Sequence, residues 1–380
     1  MKIDTCYCHN RCCRLYGLTG KHAQLRFEDW HNGAPRFRCL ACGQRVSARA
    51  GTAYADLRTD AVTYRYATTA LAEGLALRAT GRLFVLDKDT LCGWLPRLSA
   101  HCQGVMSYFF RDLHLHECQL DELWTFIYKK EEHLDPVEQL LREYGDAWVW
   151  IAFSPTFKLV PAWQVGKRTL NDARKLIFRL KSATDGHIPF FTSDDLPHYA
   201  EALLDGYGIW VTLPRQGNRG RFPNPRRYPP PDLCYAVVVK QREQGRIVKV
   251  TTRIVYGTQE QLQRALQEAP TSTTINTAGV ERNNLTVRQH SRRLGRKVNA
   301  FSKDRDYLEH QLTLAFAYYH FVLPHRGLRQ RLLQPLPTKG PQATYKKWQA
   351  VTPAMAAGLT DHVWTMDELL SFRVPPKYLW

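Results

Sequence analysis

The sequence predicts a multidomain chain: a small cysteine-rich α/β module, then an all-α three-helix unit, then a larger α/β domain. Three observations carry this expectation. Six of the ten cysteines fall within the first 42 residues. Between 59 and 102 the apolar residues recur at helical spacing behind capping residues. Beyond Gly104 the pattern changes to alternating runs rich in aromatic and β-branched residues, interleaved with amphipathic ones.

At 380 residues the chain can bury two or three cores. An apolar content of 44% excludes wholesale disorder. The net charge of +18 points to a polyanionic partner, and nucleic acid is the natural one. A basic membrane-surface protein competes with that reading, but no amphipathic anchor or lipidation motif is visible. No run reaches the roughly 18 apolar residues of a membrane span. The longest candidate, "LTLAFAYYHFVLP", carries a histidine and ends at Pro324. The start, "MKIDTCYCHN", lacks the apolar core of a signal peptide. A reducing cytoplasm is therefore expected, with the cysteines as thiols or metal ligands.

In residues 1–52, "CYCHNRCC" is followed by "RFRCLACGQRVS". A C-x-x-C turn with glycine after it reads as one knuckle of a zinc ribbon, and two knuckles supply the four thiolates that Zn²⁺ takes. The expected ligands are Cys8, Cys13, Cys39 and Cys42, with Cys6 and Cys12 as alternatives for the first knuckle. A redox pair is the competing reading, but no βαβ pattern surrounds it. Arg36, Arg38, Arg45 and Arg49 beside the second knuckle suit either a DNA contact or plain surface.

Residues 57–104 hold "TDAVTYRYATTALAEG", "LALRATGRLFVL" and "DKDTLCGWLPRLSAHC". Three short helices with a tight turn before the last form a helix-turn-helix, whose last helix enters the major groove. Its start would read DNA through Lys88, Asp89, Thr90 and Trp94. A plain three-helix packing unit is the alternative.

From 112 to 325 the order is strand ("HECQLDELWTFIYKK"), loop or short helix, two meander strands ("AWVWIAF", "KLVPAWQVG"), helix ("TLNDARKLIFRLK"), and a strand running into a helix ("HIPFFTSDDLPHYAEALL"). "YGIWVTL" suggests one more strand. That order, with a late helix, is the ribonuclease-H-like one, in which carboxylates on the first strand, at the end of the fourth and on the late helix converge on metal. Asp121, Asp194 and Glu281 occupy those places, with Glu122 and Asp195 as neighbours that could be mistaken for them. Clustered carboxylates repel unless cations neutralise them. Two Mg²⁺ ions would do so and would clamp both oxygens of an in-line phosphoryl transfer.

Wheeled as a helix, "NTAGVERNNLTVRQHSRRLGRK" puts Glu281, Asn284, Leu285, Arg288 and Arg292 on one face, beside an apolar stripe of Val280, Val287 and Leu294. Arg288 would hold a DNA phosphate. Before it, "PRQGNRGRFPNPRRYPPP" is either a DNA-binding arm or a solvated linker. The hairpin expected to turn at Gly245 would complete a β-rich insertion over about 214–256. His114, His116 and Cys118 of "HLHEC" read as packing residues.

"DELWTF", "TSDDLPHY" and above all "VERNNLTVRQHSRRLGRKVNAFSK" resemble transposases of the insertion sequence 1 family. "LALRATGRL" and the cysteine pairs resemble that family's zinc-finger and helix-turn-helix segment. The resemblance spans roughly residues 6–325. It implies a DDE transposase of a transposable element, with Asp121, Asp194 and Glu281 as Mg²⁺ (or Mn²⁺) ligands, two ions per site, and Arg288 as the associated basic residue. Strand cleavage leaving a 3′-OH and attack of that 3′-OH on target DNA would follow. The expected partners are double-stranded DNA, as inverted repeats and target, and a second copy of the chain; a membrane is not among them. The location would be cytoplasmic and nucleoid-associated. DNA contacts are expected from Lys88, Thr90, Arg215, Arg219, Arg221, Arg226, Arg227, Arg292, Arg293, Arg296 and Lys297. The best-known members are encoded in two overlapping frames, whereas this is one continuous chain. Its insertion and its C-terminal tail, 326–380, mark a longer-armed subgroup. A domesticated regulator without catalysis and a junction or repair nuclease are the alternative functions.

Overall fold

The computed structural model describes residues 3–141, 143–214, 223–337 and 344–378. The chain is mixed α/β. At the N-terminus, β1 (Leu25–His31), β2 (Ala34–Cys39) and β3 (Arg45–Ser47) form an antiparallel sheet. Between β2 and β3 the chain turns tightly: Gly43 N–H donates to Cys39 O, and Gly43 sits at φ +71°, where only a glycine is unstrained.

Three helices follow: α1 (Ala61–Ala72), α2 (Leu77–Phe84) and α3 (Lys88–Phe109). Asp60 caps α1 by accepting from the backbone N–H of Val62 and Thr63, and Asp87 caps α3 through Asp89 N–H. The third helix is longer than the sequence suggests and runs on to Phe109 through Pro96. Its apolar residues explain this, because Leu91, Leu95, Leu98, Cys102 and Val105 are all fully buried. Trp94 belongs to the same stripe. It is 6% exposed and packs edge-on against Tyr64, so it is a core residue and not a reader of DNA bases.

The main domain contains β4 (Glu117–Ile127), α4 (Pro136–Leu141), β5 (Gly145–Ser154), β6 (Leu159–Gly166), α5 (Leu170–Ala183), β7 (Phe190–Asp194) and α6 (Pro197–Tyr207). It continues with β8 (Ile209–Val211), β9 (Arg226–Tyr228), β10 (Tyr235–Glu243), β11 (Arg246–Tyr256), α7 (Gln259–Glu268), α8 (Ala278–His290) and α9 (Arg305–Phe321). Six strands form one mixed sheet in the order β11-β10-β7-β4-β5-β6. β4, β5 and β6 are an antiparallel meander; β7 runs parallel to β4, and β10 parallel to β7. One face is covered by α5 and α6, where Trp150 meets Tyr199. The other is covered by α8 and α9, where a Cβ on Gly279 would press on Phe153 and where Phe316 meets Trp163.

Two expectations change here. The strand of "YGIWVTL" is β8, which among the described residues pairs with β9 alone, in a separate two-stranded sheet. The stretch expected as an insertion contributes β10 and β11 to the central sheet, because the apolar run Tyr235–Val238 is buried on both faces as an inner parallel strand requires. The hairpin does turn at Gly245.

The C-terminal stretch holds β12 (Gln330–Pro337), β13 (Tyr345–Gln349), α10 (Pro353–Ala356) and α11 (Met366–Ser371). Only its first part behaves as an appendage: β12 and β13 form a hairpin with Leu333 fully exposed. The remainder docks on the body. Trp364 stacks on Phe321 and donates its backbone N–H to the same residue. Tyr54 donates to Asp367, Ala53 N–H to Leu370 O, and Arg373 to the carbonyls of Ala48 and Ala50. One apolar core therefore joins α1, α3, the sheet, α9 and α11. Trp364→Ala should lower the unfolding free energy by about 3–5 kcal/mol in denaturant titration. Leu333→Ala should stay within about 0.5 kcal/mol of the parent.

Candidate metal centres and acid cluster

The first centre is the cysteine tetrad. The four Sγ atoms of Cys8, Cys13, Cys39 and Cys42 lie within 4.8 Å of one another. Cys8 and Cys42 are 3.6 Å apart, and Cys13 and Cys39 are 3.8 Å apart. Zinc–thiolate bonds of about 2.3 Å arranged as a tetrahedron give S–S edges of about 3.8 Å. The donor set fits zinc, and all four sulfurs are the ones expected. Of the alternatives, Cys6 packs with Phe37 and Ala48 instead, and Cys12 is exposed. The backbone N–H of Gln44 lowers the Cys42 thiol, which favours the thiolate a metal takes, whereas burial raises Cys8. Elemental analysis of the purified chain should find zinc, which Cys39→Ser should lose and Cys12→Ser should retain.

The second centre lies where β4 and β7 run side by side. Their parallel ladder pairs Leu120 with Ser193, so the next residues, Asp121 and Asp194, project together on the α8 face. β7 ends there, so no strand of the ladder lies beside Glu122. One carboxylate oxygen from each of Asp121, Glu122 and Asp194 comes within 4.8 Å of the others, and this triad can hold a metal ion. Glu122 starts from the opposite face, yet its side chain is 2% exposed; it accepts from Arg168 at 2.6 Å and from Tyr199 Oη at 2.9 Å. Asp121 accepts from Asn284 Nδ2 at 2.6 Å. One oxygen of Asp194 is buried with no hydrogen-bond partner among the described residues, a vacancy that suits a cation.

Burial, reinforced by the charge of Glu122, raises Asp121 to about 7 and Asp194 to about 6. Glu281, on the first turn of α8, stands outside the triad. Its carboxylate takes hydrogen bonds from Lys240 Nζ and from Thr277 Oγ1. Burial pushes Glu281 up, but these donors outweigh it and hold it below the usual range. It is still near enough for its charge to raise Asp121. Arg288 also feels Asp121, and its guanidinium donates to Leu294 O at 3.0 Å, bracing the turn after α8. Asp195, the neighbour of Asp194, points away and pairs with Arg253 at 2.6 Å.

The expected DNA contacts divide into groups. Lys88, Thr90, Arg226, Arg292, Arg296 and Lys297 are exposed. Lys88 pairs with Asp89 at 2.7 Å. Arg227 is committed elsewhere, to Asp205 at 2.6 Å and to the face of Trp210. Arg293 turns inward to Ser302 Oγ, and burial lowers its pKa. Arg215, Arg219 and Arg221 lie outside the described residues. Cys118 is fully buried as a packing residue, whereas His114 is exposed and pairs with Asp185. A groove of about 900 Å³ lies between α3, β6, α5 and α9, and no acid of the triad lines it.

Sequence reasoning missed Lys240, Arg168 and Tyr199, and it named Glu122 only as a neighbour of the site. Strand alternation argues against Glu122, and nothing local marks the other three. No protein-family profile matches the chain, and no curated protein matches it. Among the described residues, no helix is long and apolar enough to cross a membrane.

Asp121 keeps its proton in the folded chain from its ordinary 3.8 up to about 7. The folded state thus binds more protons than the unfolded one in that window, so metal-free stability falls as pH rises through it. Thermal unfolding at about pH 5 and about pH 8 should show that fall, and Asp121→Asn should flatten it. Added Mg²⁺ should raise the unfolding temperature of the parent at the higher pH but not that of the variant.

Proposed function

We propose that the chain is a metal-dependent DNA strand-transfer enzyme. More particularly, we infer a DDE transposase resembling the insertion sequence 1 family, acting on the ends of its own element. The meeting of Asp121, inside β4, with Asp194, at the end of the adjacent parallel strand β7, carries this reading. The strand order β6-β5-β4-β7-β10, with crossover helices α5 and α6 and a late helix α8, supports a ribonuclease-H-like domain. The cysteine tetrad supports a zinc ribbon, and α1 to α3 support a helix-turn-helix that would approach DNA through Lys88 and Thr90.

Asp121 and Asp194 would hold Mg²⁺ (or Mn²⁺), with Glu281 as the third ligand of the proposed set. When bound, the ions supply charge to the attacking and leaving oxygens of phosphoryl transfer. The chain's own groups orient and screen. Asn284 fixes the Asp121 carboxylate, Arg168 and Tyr199 fix Glu122, and Lys240 and Arg288 bring positive charge to where a phosphate would sit. A homodimer on paired DNA ends follows from the need to synapse them. A regulator without catalysis gains support from one observation, the Glu281 carboxylate tied to Lys240 and standing apart from the triad.

Purified protein with Mg²⁺ on DNA carrying the gene's own flanking ends should cleave or join strands. Glu281→Gln should lose that activity, by a factor of a hundred or more, while still binding DNA. Binding by both proteins with no cleavage in Mg²⁺ or Mn²⁺ would favour the regulator.

A further inference from the structure

Lys240 marks the base of a two-stranded ribbon that outruns the sheet. β7 pairs with β10 only from Tyr235 to Val238, whereas β10 and β11 remain paired out to Glu243 and Arg246. Five residues of β10 therefore extend past the β7 ladder, about 17 Å at the usual rise per residue. The tip turns at Gln244 and Gly245, both at positive φ, as the tight turns that match strand twist require. Burial falls away along this length: Tyr235 to Val238 are buried, while Gln241 to Glu243 and Arg246 to Val250 are exposed. A bare ribbon of two strands is marginally stable in water, so a partner surface is expected.

The side chains specify that partner. From Lys240 to Arg253 there are five bases and a single acid, Glu243. Two of the bases are paired with acids beside the triad, Lys240 with Glu281 and Arg253 with Asp195. Arg242, Arg246 and Lys249 are exposed and have no acidic partner within ion-pair distance among the described residues. Ile247, Val248 and Val250 stand 49%, 53% and 56% exposed beside them. Basic heads among apolar residues suit phosphates and the apolar edges of bases and sugars, and the major groove admits a two-stranded ribbon. A second copy fits less well. It would bring the same positive ribbon against its twin, and charged side chains on an edge strand are a device against such pairing.

We propose that the β10–β11 ribbon is the arm that holds duplex DNA beside the acids, with Arg242, Arg246 and Lys249 on backbone phosphates. The proposal rests on the DNA-directed reading of the chain. It adds a clamp whose base is the residue that touches Glu281.

The test replaces Arg242, Arg246 and Lys249 together by alanine in the full chain. Binding to a duplex of arbitrary sequence is then measured between about 50 and 200 mM salt. The slope of log affinity against log salt should become shallower by about 2 to 3, at roughly 0.9 per lost phosphate contact, with affinity at least about tenfold weaker at the low-salt end. Thermal unfolding should not change, and a variant with Arg242→Lys and Arg246→Lys should keep the parent slope. An unchanged slope and affinity in the alanine variant overturns the proposal and leaves the DNA reading standing. The same result with altered sedimentation assigns the ribbon to contact between copies. A parent chain that binds no duplex at all overturns both.

Discussion

The parallel ladder between β4 and β7 is the constraint on which the acid cluster depends. Its register sets Leu120 against Ser193, and the residues that follow are the two aspartates. A slip of one residue would turn one of them to the opposite face. The register is held by what lies on either side of it. Cys118, Leu120 and Phe191 are fully buried on one face and Gln119 and Thr192 are buried on the other, so a slip would set polar groups against the wrong neighbours. On the α8 face, Gln119 accepts from Val280 N–H at 2.8 Å and Thr192 donates to Asn276 O at 3.1 Å. The same ladder thereby fixes where α8 begins, and with it Glu281 and Asn284.

Concentrating carboxylates in a half-buried place is unfavourable, and the surrounding bases relieve it only in part. Arg168 is spent on Glu122 and Lys240 on Glu281, while Arg288 braces a backbone carbonyl. Asp121 and Asp194 are left with raised affinities for protons, one amide donor on Asp121, and an orphaned buried oxygen on Asp194. Such a group of acids either keeps protons or takes a cation that displaces them. The cysteine tetrad is the opposite case. Its sulfurs already sit at tetrahedral edge lengths, held by the Cys39–Gly43 turn and by the buried Cys8 and Cys13.

Much of this was legible in the sequence because local signals carried it. Caps at Asp60 and Asp87, the glycine turn after Cys42, and the alternation around Asp121 each correspond to an element. Asp121 was singled out as an acid inside a strand and Asp194 as one at a strand end, both local properties. Glu122 was set aside as the neighbour of Asp121, and alternation does start it on the other face. It returns only because β7 stops at Asp194 and a tyrosine and an arginine from α6 and the start of α5 turn its carboxylate inward. Lys240 was invisible for lack of a pairing partner, since nothing in "VVVKQRE" says that β10 lies beside β7. Trp94 and Arg293 show the converse error: an aromatic and a base with the right composition for DNA contact turn inward, Trp94 buried and Arg293 half-buried against Ser302.

The three-helix unit and the acid cluster are mechanically one body. The end of α1 is pressed against α8, where Gly74 leaves no room for a Cβ beside Gln289 O. Gln311 of α9 donates to Leu71 O at 2.9 Å, and Tyr318 of α9 donates to Glu73. On the other side, Arg293 donates to Ser302 Oγ, and Ser302 O accepts from Tyr128 N–H just past the end of β4. A rotation of the three-helix unit relative to the sheet would have to break the α1 contacts and the shared apolar core beneath them. The three-helix unit and the acid cluster are thus held at fixed separation by packing. The ribbon beyond Val238 is a part that leaves this core.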